Sequence, residues 1–195
     1  ISSVEISGVG CNRHNPDGPR DPEVGIIAIR NEKTKKLFAA SLIYCMHPTV
    51  MHEDSKLVSS DFPGYAREYI RGKLGRDITI LYHTGPEGNQ SPRYHVKGQT
   101  FAEAERLGNI LGSAVAEKIQ DIKDKDFSRD PILASASTRI IPSRRKFPPL
   151  AEAERNLKFR QDEFTRLKKE NAGHGPIRTA ECSIFGAEKT LKLAK

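Results

Sequence analysis

Two polar side chains in the first half of this 195-residue sequence have types and positions suited to chemistry. His47 follows the apolar, β-rich run Leu37–Met46, and Ser91 lies in the turn GPEGNQSPR after the run Asp77–Thr84. Because Pro48 cannot donate to a β-ladder and disfavours helical geometry in the preceding residue, His47 is predicted to be the last extended residue before the chain turns. Both side chains are therefore expected beyond strand ends on one edge of a sheet, where reactive groups of α/β proteins collect.

The chemistry open to these two side chains differs. An imidazole at a strand end suits a metal ligand or a general base, although a histidine there more often makes a structural hydrogen bond. The glycines around Ser91 allow a ligand to approach the backbone closely, so its hydroxyl would meet a substrate carbonyl while Gly88 and Asn89 contact the substrate. Neither GxSxG nor SxxK surrounds Ser91, and a serine in a Gly/Pro turn also occurs without any catalytic role.

Two further charged residues border these runs. Arg13 lies near the start of the loop CNRHNPDGPRDPE, from which it would reach into a cleft, and the alternative is a surface arginine paired with Asp17 or Asp21. Asp61 precedes the helical pattern FPGYAREYIRGKLG, where a carboxylate accepts a hydrogen bond from the first turn of the helix. We predict a capping role for Asp61.

The remaining pattern predicts a mixed sheet covered by helices. Strand-like runs are predicted at Val4–Gly10, Val24–Arg30, Leu37–Met46, Asp77–Thr84, Pro131–Ile141 and Ile177–Phe185, with helices at 62–75, Thr100–Ile122, Leu150–Glu170 and Ala187–Lys195. The polar segment NEKTKK joins the second and third strands, so a hairpin is the simplest interpretation. The fourth strand has the composition of a fully buried strand. The fold class is therefore α/β, and residues 1–195 are predicted to form one domain.

Composition limits the function classes. The sequence has 32 Lys and Arg against 25 Asp and Glu, and this excess of +7 is spread along the chain, as on an ordinary solvated surface. With no Trp and only five Tyr there is little aromatic surface for stacking bases, so nucleic-acid binding is disfavoured. Cys11, Cys45 and Cys182 show neither a disulfide framework nor a CxxC metal site. No apolar run approaches the roughly 18 residues of a membrane span.

Four motifs in register carry a family resemblance. NRHNPDGPRDPEVGIIAIR, the run ending in HPT, SSDFPGY and GNQSPR together resemble the neutral/alkaline non-lysosomal ceramidase family, and the likeness continues more loosely into RTAECSIFGAEKTL. The resemblance implies a zinc-dependent hydrolase that splits the amide of N-acylsphingosine into a fatty acid and a sphingoid base. It matches His47 to a zinc-binding histidine, Ser91 to the active-site serine and Arg13 to an arginine near the substrate.

The same resemblance implies that the zinc site is completed elsewhere. The family's other histidine ligand lies upstream of the segment matching Arg13, and its Glu and Tyr ligands lie downstream of the GAEKTL region. One histidine cannot form a catalytic zinc site, and the other histidines lack paired spacing: His14, His52, His83, His95 and His174. We therefore expect this chain to be an internal portion of a larger catalytic domain, incomplete for catalysis, with the remaining zinc ligands outside it.

Two departures leave the substrate open. Asn89 stands where the ceramidases proper usually carry Asp, and no apolar surfaces for two long alkyl chains are evident. The alternatives are a metal-dependent hydrolase of a different amide or ester and a non-catalytic binding module on the same scaffold. The expected partner is a small-molecule or lipid amide.

Overall fold

A four-stranded mixed sheet forms the centre of residues 1–129 in the computed structural model, which describes residues 1–51, 55–143 and 145–194. The elements of this part are, in chain order, β1 (Ser2–Glu5), β2 (Cys11–Asn12), β3 (Glu23–Arg30), β4 (Leu37–Tyr44), α1 (Asp61–Leu74), β5 (Thr79–Thr84), β6 (Gln90–Ser91), α2 (Phe101–Asp121) and a 3-10 turn at Asp124–Asp126. The sheet order is β1-β3-β4-β5, and β2 pairs with β6 in a separate ladder. The predicted mixed α/β fold is confirmed.

The order of the strands follows from the connections between them. β3 and β4 form the predicted antiparallel hairpin, in register from Val24↔Tyr44 to Ile29↔Ala39. β5 then pairs with β4 in parallel, from Ala39↔Thr79 to Tyr44↔Thr84. A parallel pair needs a crossover connection, and α1 provides it.

Alternation along the strands builds the core. Every second side chain of β3 and β4 points towards the two helices, and the intervening ones lie on the opposite face. The buried cluster includes Val24, Ile26, Ala40, Leu42, Tyr44, Ile80, Phe62, Ile70, Leu107 and Leu111. Several side chains of the opposite face are apolar and exposed, namely Ile27, Ile29, Ile43 and Leu81. Burial of each large core side chain contributes about 1.5–3 kcal/mol.

The two helices approach each other closely at two glycines of α2. A Cβ added to Gly108 would lie 2.5 Å from Cβ of Tyr65 and 2.7 Å from the backbone oxygen of Phe62, and one added to Gly112 would lie 2.8 Å from Cβ of Tyr69. The helix starts as predicted, because the Thr100 side chain accepts a hydrogen bond from the Glu103 backbone N–H.

Residues 130–195 form a second compact unit. It contains α3 (Leu150–Lys169) and α4 (His174–Ala194), which pack as a helical hairpin. The prediction of a strand at Ile177–Phe185 is wrong, because this segment belongs to the first half of α4. Ala180 and Ala187 are buried one heptad apart, so small side chains on one helix face form the contact. No strand forms at Pro131–Ile141, where the chain has no regular secondary structure and is exposed.

Other differences concern the ends of elements. β1 stops at Glu5, so the predicted strand Val4–Gly10 is mostly loop. β5 is an edge strand with Leu81 52% exposed, so the prediction of a fully buried strand is wrong. The prediction of one domain over 1–195 stays a prediction. Within the described residues, no helix has an apolar stretch sufficient to cross a bilayer.

Candidate functional site

The carboxyl edge of the parallel pair β4–β5 places two side chains next to each other. The ladder ends at Tyr44↔Thr84, and the Gly85 backbone N–H still donates to the Tyr44 oxygen at 3.0 Å. Three residues beyond each strand end come His47 and Glu87. Side chains that follow parallel strands meet at the same sheet edge, and His47 lies beyond its strand as predicted, although the strand ends at Tyr44 and not at Met46.

The hydrogen bonds of His47 fix its tautomer. Its backbone N–H donates to the Gln90 oxygen at 3.2 Å, and its Nδ1 lies 2.9 Å from the Glu87 oxygen and 3.0 Å from the Gln90 oxygen. Since a carbonyl oxygen only accepts, Nδ1 carries a proton, and in the neutral form of the ring Nε2 would present its lone pair. Metal-binding histidines are commonly held in this way, so His47 has the donor arrangement that a zinc ligand requires.

Glu87 was not singled out from the sequence. Its Oε1 lies 3.5 Å from His47 Nε2, and the two side chains are 27% and 25% exposed. Its Oε2 is buried and has no hydrogen-bond partner within residues 1–51, 55–143 and 145–194. Glu87 follows its strand by three residues, as His47 does. This equal spacing places the two side chains together only because β4 and β5 are parallel, which the sequence did not show.

Ser91 occupies a strand and not the predicted turn. It pairs with Cys11 in the β2–β6 ladder and is only 4% exposed. Its Oγ accepts a hydrogen bond from the Arg93 backbone N–H at 3.4 Å. The structure thus places Ser91 one residue beyond Gln90, whose backbone oxygen binds His47, so the imidazole and the hydroxyl belong to one short segment.

Arg13 is attached to the same segment through its backbone. Its N–H donates to the Asn89 oxygen at 2.7 Å, and Arg93 Nη1 donates to the Arg13 oxygen at 3.0 Å. The Asn89 side-chain amide donates to the Pro19 oxygen at 2.8 Å. Asn89 therefore holds the loop that carries Arg13. A Cβ added at Gly88 would meet nothing within 4 Å, so the backbone there is open to an approaching group.

Buried polar groups behind the edge bind this loop to the sheet. The Gln90 side chain is 2% exposed, and its Oε1 accepts from the Asp21 backbone N–H at 3.1 Å. Cys45 Sγ donates to Oδ2 of Asp21 at 3.3 Å. Burial, and next the hydrogen bond to Asp21, raises the pKa of the Cys45 thiol to about 11. Cys45 is therefore a neutral thiol at pH 7.

The loop that follows His47 is held by Asp61. Asp61 is 5% exposed, and its carboxylate accepts from the Met51 N–H at 2.8 Å and from the Phe62 N–H at 2.7 Å. The predicted capping role of Asp61 is wrong, because α1 begins at Asp61 itself and its N-cap residue Ser60 makes no side-chain capping hydrogen bond. Its φ of 53° is in the left-handed region, which disfavours most side chains. Burial raises the pKa of this carboxyl, and the backbone hydrogen bonds oppose that increase.

The described residues contain no group of three or more His, Cys, Asp or Glu side chains that could hold a metal ion. His52 lies outside the described residues. Burial lowers the pKa of both His14 and His95, with nearby arginines adding to the effect. Two surface concavities of about 400 and 380 Å³ are lined by other residues, among them Phe127 in the first and Tyr65 in the second. Neither concavity contains the candidate site, which consists of the side chains at the carboxyl edge of β4 and β5.

Comparison with known proteins adds a fold relationship. No family model and no curated protein matches the sequence. A solved ceramidase complexed with C2 matches with a TM-score of 0.53 and 20% identity, and the neutral ceramidase from Pseudomonas aeruginosa matches with a TM-score of 0.52 and 21% identity. Each comparison covers 61% of this chain and only 21% and 22% of the solved chains, respectively. The chain has a ceramidase-like fold, as the motifs predicted, and spans about a fifth of the length of these structures.

Proposed function

We propose that this chain is part of a zinc-dependent amide hydrolase of the neutral ceramidase type, which converts N-acylsphingosine and water to a fatty acid and a sphingoid base. The observation that carries the proposal is the geometry of His47. On a fold shared with ceramidases, its Nδ1 proton is bound by backbone oxygens, so its Nε2 would be the atom that binds a metal. The other ligands are expected outside this chain, because catalytic zinc needs three protein ligands.

The roles of the residues follow from their positions. His47 would hold the zinc, which lowers the pKa of a bound water and polarises the amide carbonyl. Ser91 and Arg13 would donate hydrogen bonds to the carbonyl oxygen as negative charge develops on it. Both residues are fixed to the segment that binds His47, so one rigid element would align the donors with the metal. Gly88 and Asn89 would border the bound substrate.

A second candidate is a hydrolase of a more polar amide or ester. The observation that favours it is the polar and charged character of this edge, where Glu87, Arg13 and Arg93 lie close to His47 or to its supporting segment. Long alkyl chains gain binding energy from apolar surface, which these side chains do not offer.

Metal analysis and hydrolysis assays of the full-length protein test both candidates. We expect one zinc per chain, hydrolysis of a fluorogenic acyl-sphingosine, and loss of both in His47→Ala. Zinc binding that depends on His47 without turnover of the lipid amide would favour the second candidate. Turnover that survives His47→Ala with normal zinc content would refute the metal role of His47.

A further inference from the structure

We propose that Asn12 and Asn89 are positioning residues, whose side-chain amides hold Arg13 beside Ser91 by binding one backbone carbonyl, that of Pro19. The inference rests on the proposed function, in which Arg13 donates a hydrogen bond to the substrate carbonyl. It gives the two amides a part in that step through Arg13. Asn89 would border the substrate with its main chain, while its side chain is directed to Pro19.

Two side-chain amides from facing segments meet at the Pro19 oxygen. Asn12 belongs to β2 and Asn89 immediately precedes β6, and the pair Asn12↔Gln90 joins the two strands. Nδ2 of Asn12 donates to the Pro19 oxygen at 2.9 Å, and Nδ2 of Asn89 donates to the same oxygen at 2.8 Å. A carbonyl oxygen has two lone pairs, so the two amides use its full capacity as an acceptor. The end of loop 13–19 is therefore attached to both sides of the ladder.

The oxygen of the Asn12 side chain shapes the start of the same loop. Oδ1 accepts from the backbone N–H groups of His14 and Asn15 at 3.0 and 3.2 Å, which forms an Asx turn around Arg13. Because this oxygen is bound by two N–H groups and a carbonyl only accepts, the nitrogen of the amide is the atom that faces Pro19. Asn12 is 9% exposed, so water competes little for these bonds. One side chain thus fixes both ends of the loop.

The backbone of Arg13 is held between the same two segments. Its N–H donates to the Asn89 oxygen at 2.7 Å, and its own oxygen accepts from Arg93 Nη1 at 3.0 Å. The ladder pair Cys11↔Ser91 lies two residues before Arg13, so a displacement of the loop would move the guanidinium relative to the Ser91 hydroxyl. A misplacement of about 1 Å at a catalytic donor can reduce the rate by about 100-fold.

Asn89→Asp in the full-length protein tests the clamp, because it replaces an amide donor with a carboxyl group of the same shape. An ionised carboxylate would repel the Pro19 oxygen, whereas a protonated carboxyl can still donate to it. We expect kcat to fall by about 10–100-fold at pH 8, with KM and zinc content unchanged. The ratio of variant kcat to parent kcat should rise as the pH is lowered towards 5. Asp is also the residue that the ceramidases proper usually carry here, so the substitution sets this contact against the resemblance.

Two further variants complete the set. Asn12→Asp keeps both acceptor bonds of the Asx turn and loses only the donor to Pro19, so it should lower kcat with the same pH dependence. Asn31→Asp is the matched control, because Oδ1 of Asn31 accepts from the N–H groups of Lys33 and Thr34 in the turn between β3 and β4, and a carboxylate keeps both bonds. Its kcat should equal that of the parent at every pH.

Hydrogen–deuterium exchange of the loop peptide 13–20, measured by mass spectrometry, gives a readout that does not depend on activity. Exchange at pH 8 should be faster than in the parent for Asn89→Asp and Asn12→Asp and should be parental for Asn31→Asp. Asn89 is partly exposed, so its variant should fold and decides the question if Asn12→Asp does not fold.

The outcomes separate this inference from the proposed function. Faster loop exchange with parental kcat in Asn89→Asp would overturn the positioning role and leave the hydrolase standing. Parental exchange would show that the amides do not hold the loop, and a loss of kcat that is equal at every pH would contradict the donor role of the amide; either result overturns the inference. A parent that binds zinc without turnover would refute the proposed function and the positioning role together, and the exchange data would still decide whether the amides hold the loop.

Discussion

Nδ1 of His47 lies 3.0 Å from the backbone oxygen of Gln90, the residue that immediately precedes Ser91. This bond joins the loop after β4 to the strand β6, which is itself paired with β2. The proposed metal ligand and the proposed carbonyl-binding hydroxyl are therefore held by one stretch of main chain. Substitution of His47 should therefore affect metal binding, whereas substitution of Ser91 should affect the contact with the substrate carbonyl, because the two contacts are made by different side chains.

Ser91→Ala should lower kcat by about 100–1,000-fold, the effect of removing one donor to a developing oxyanion. Zinc content should not change, since the predicted contact is to the carbonyl. The measurement is steady-state hydrolysis with metal analysis of the same preparation, with Ser113→Ala on α2 as the control. Parental turnover in Ser91→Ala would remove this hydroxyl from the reaction.

Asp61→Ala should lower the free energy of unfolding by about 2–4 kcal/mol, because the N–H groups of Met51 and Phe62 lose their acceptor. Asp61→Gly should be less harmful by about 1 kcal/mol, because glycine tolerates the φ of 53°. Urea unfolding of both variants checks the order. An equal loss in the two variants would show that the backbone conformation contributes nothing.

The same residue predicts a dependence on pH. Burial raises the pKa of the folded-state Asp61 carboxyl above its ordinary value of 3.8, so its contribution to stability is present at low pH and is lost as the pH rises through the folded pKa. Asp61→Asn lacks this titration. The parent should therefore gain stability relative to Asp61→Asn when urea unfolding is moved from pH 7 to pH 3. A difference that stays constant or shrinks would contradict the prediction.

Glu103 should have the opposite dependence. A hydrogen bond from Arg106, with a further one from the Lys97 N–H, lowers the pKa of Glu103 to about 2. Its contribution is present above the unfolded pKa of 4.5 and is lost as the pH falls through about 2. Glu103→Gln should reduce the free energy of unfolding by about 1 kcal/mol at pH 7 and by much less at pH 2.5. Glu105→Gln, on the exposed face of α2, is the control for a change in charge alone.

Gly108→Ala should reduce stability by about 1–3 kcal/mol, because the new methyl group would overlap Tyr65 and the backbone of Phe62. Gly72→Ala in α1 is the matched control. Nothing lies within 4 Å of its added Cβ, so the higher helix propensity of alanine should stabilise the protein by up to about 1 kcal/mol. Thermal unfolding of the two variants should therefore shift in opposite directions, and shifts of the same sign would contradict the packing described for α1 and α2.

Local patterns predicted the elements whose partners are close in sequence. The β3–β4 hairpin followed from two apolar runs joined by six polar residues, and α2 followed from the helical pattern that begins at Thr100. The segment at Ile177–Phe185 was misassigned because a short apolar run fits a strand or a helix equally well. The buried Ala180 decides between them only when α3 lies alongside.

The positions of the candidate site residues were predictable only in part, for a similar reason. His47 was predictable from its place after a strand and before Pro48, and the motifs brought Ser91 and Arg13 into the same hypothesis. The pairing of Ser91 with Cys11 was not predictable, because its partner lies eighty positions earlier in the chain. The position of Glu87 next to His47 depends on the parallel register of β4 and β5, which no local sequence pattern specifies.

The parallel joining of β4 and β5 also bears on how quickly the chain reaches its final form. A hairpin such as β3–β4 closes in microseconds, whereas Ala39 meets Thr79 only after the connection 45–78, which contains α1, has been brought into place. Until that step, the imidazole of His47 lacks the carbonyl groups that orient it. A nascent or refolding chain should therefore acquire its metal-binding edge among its last native contacts, well after the hairpin has formed.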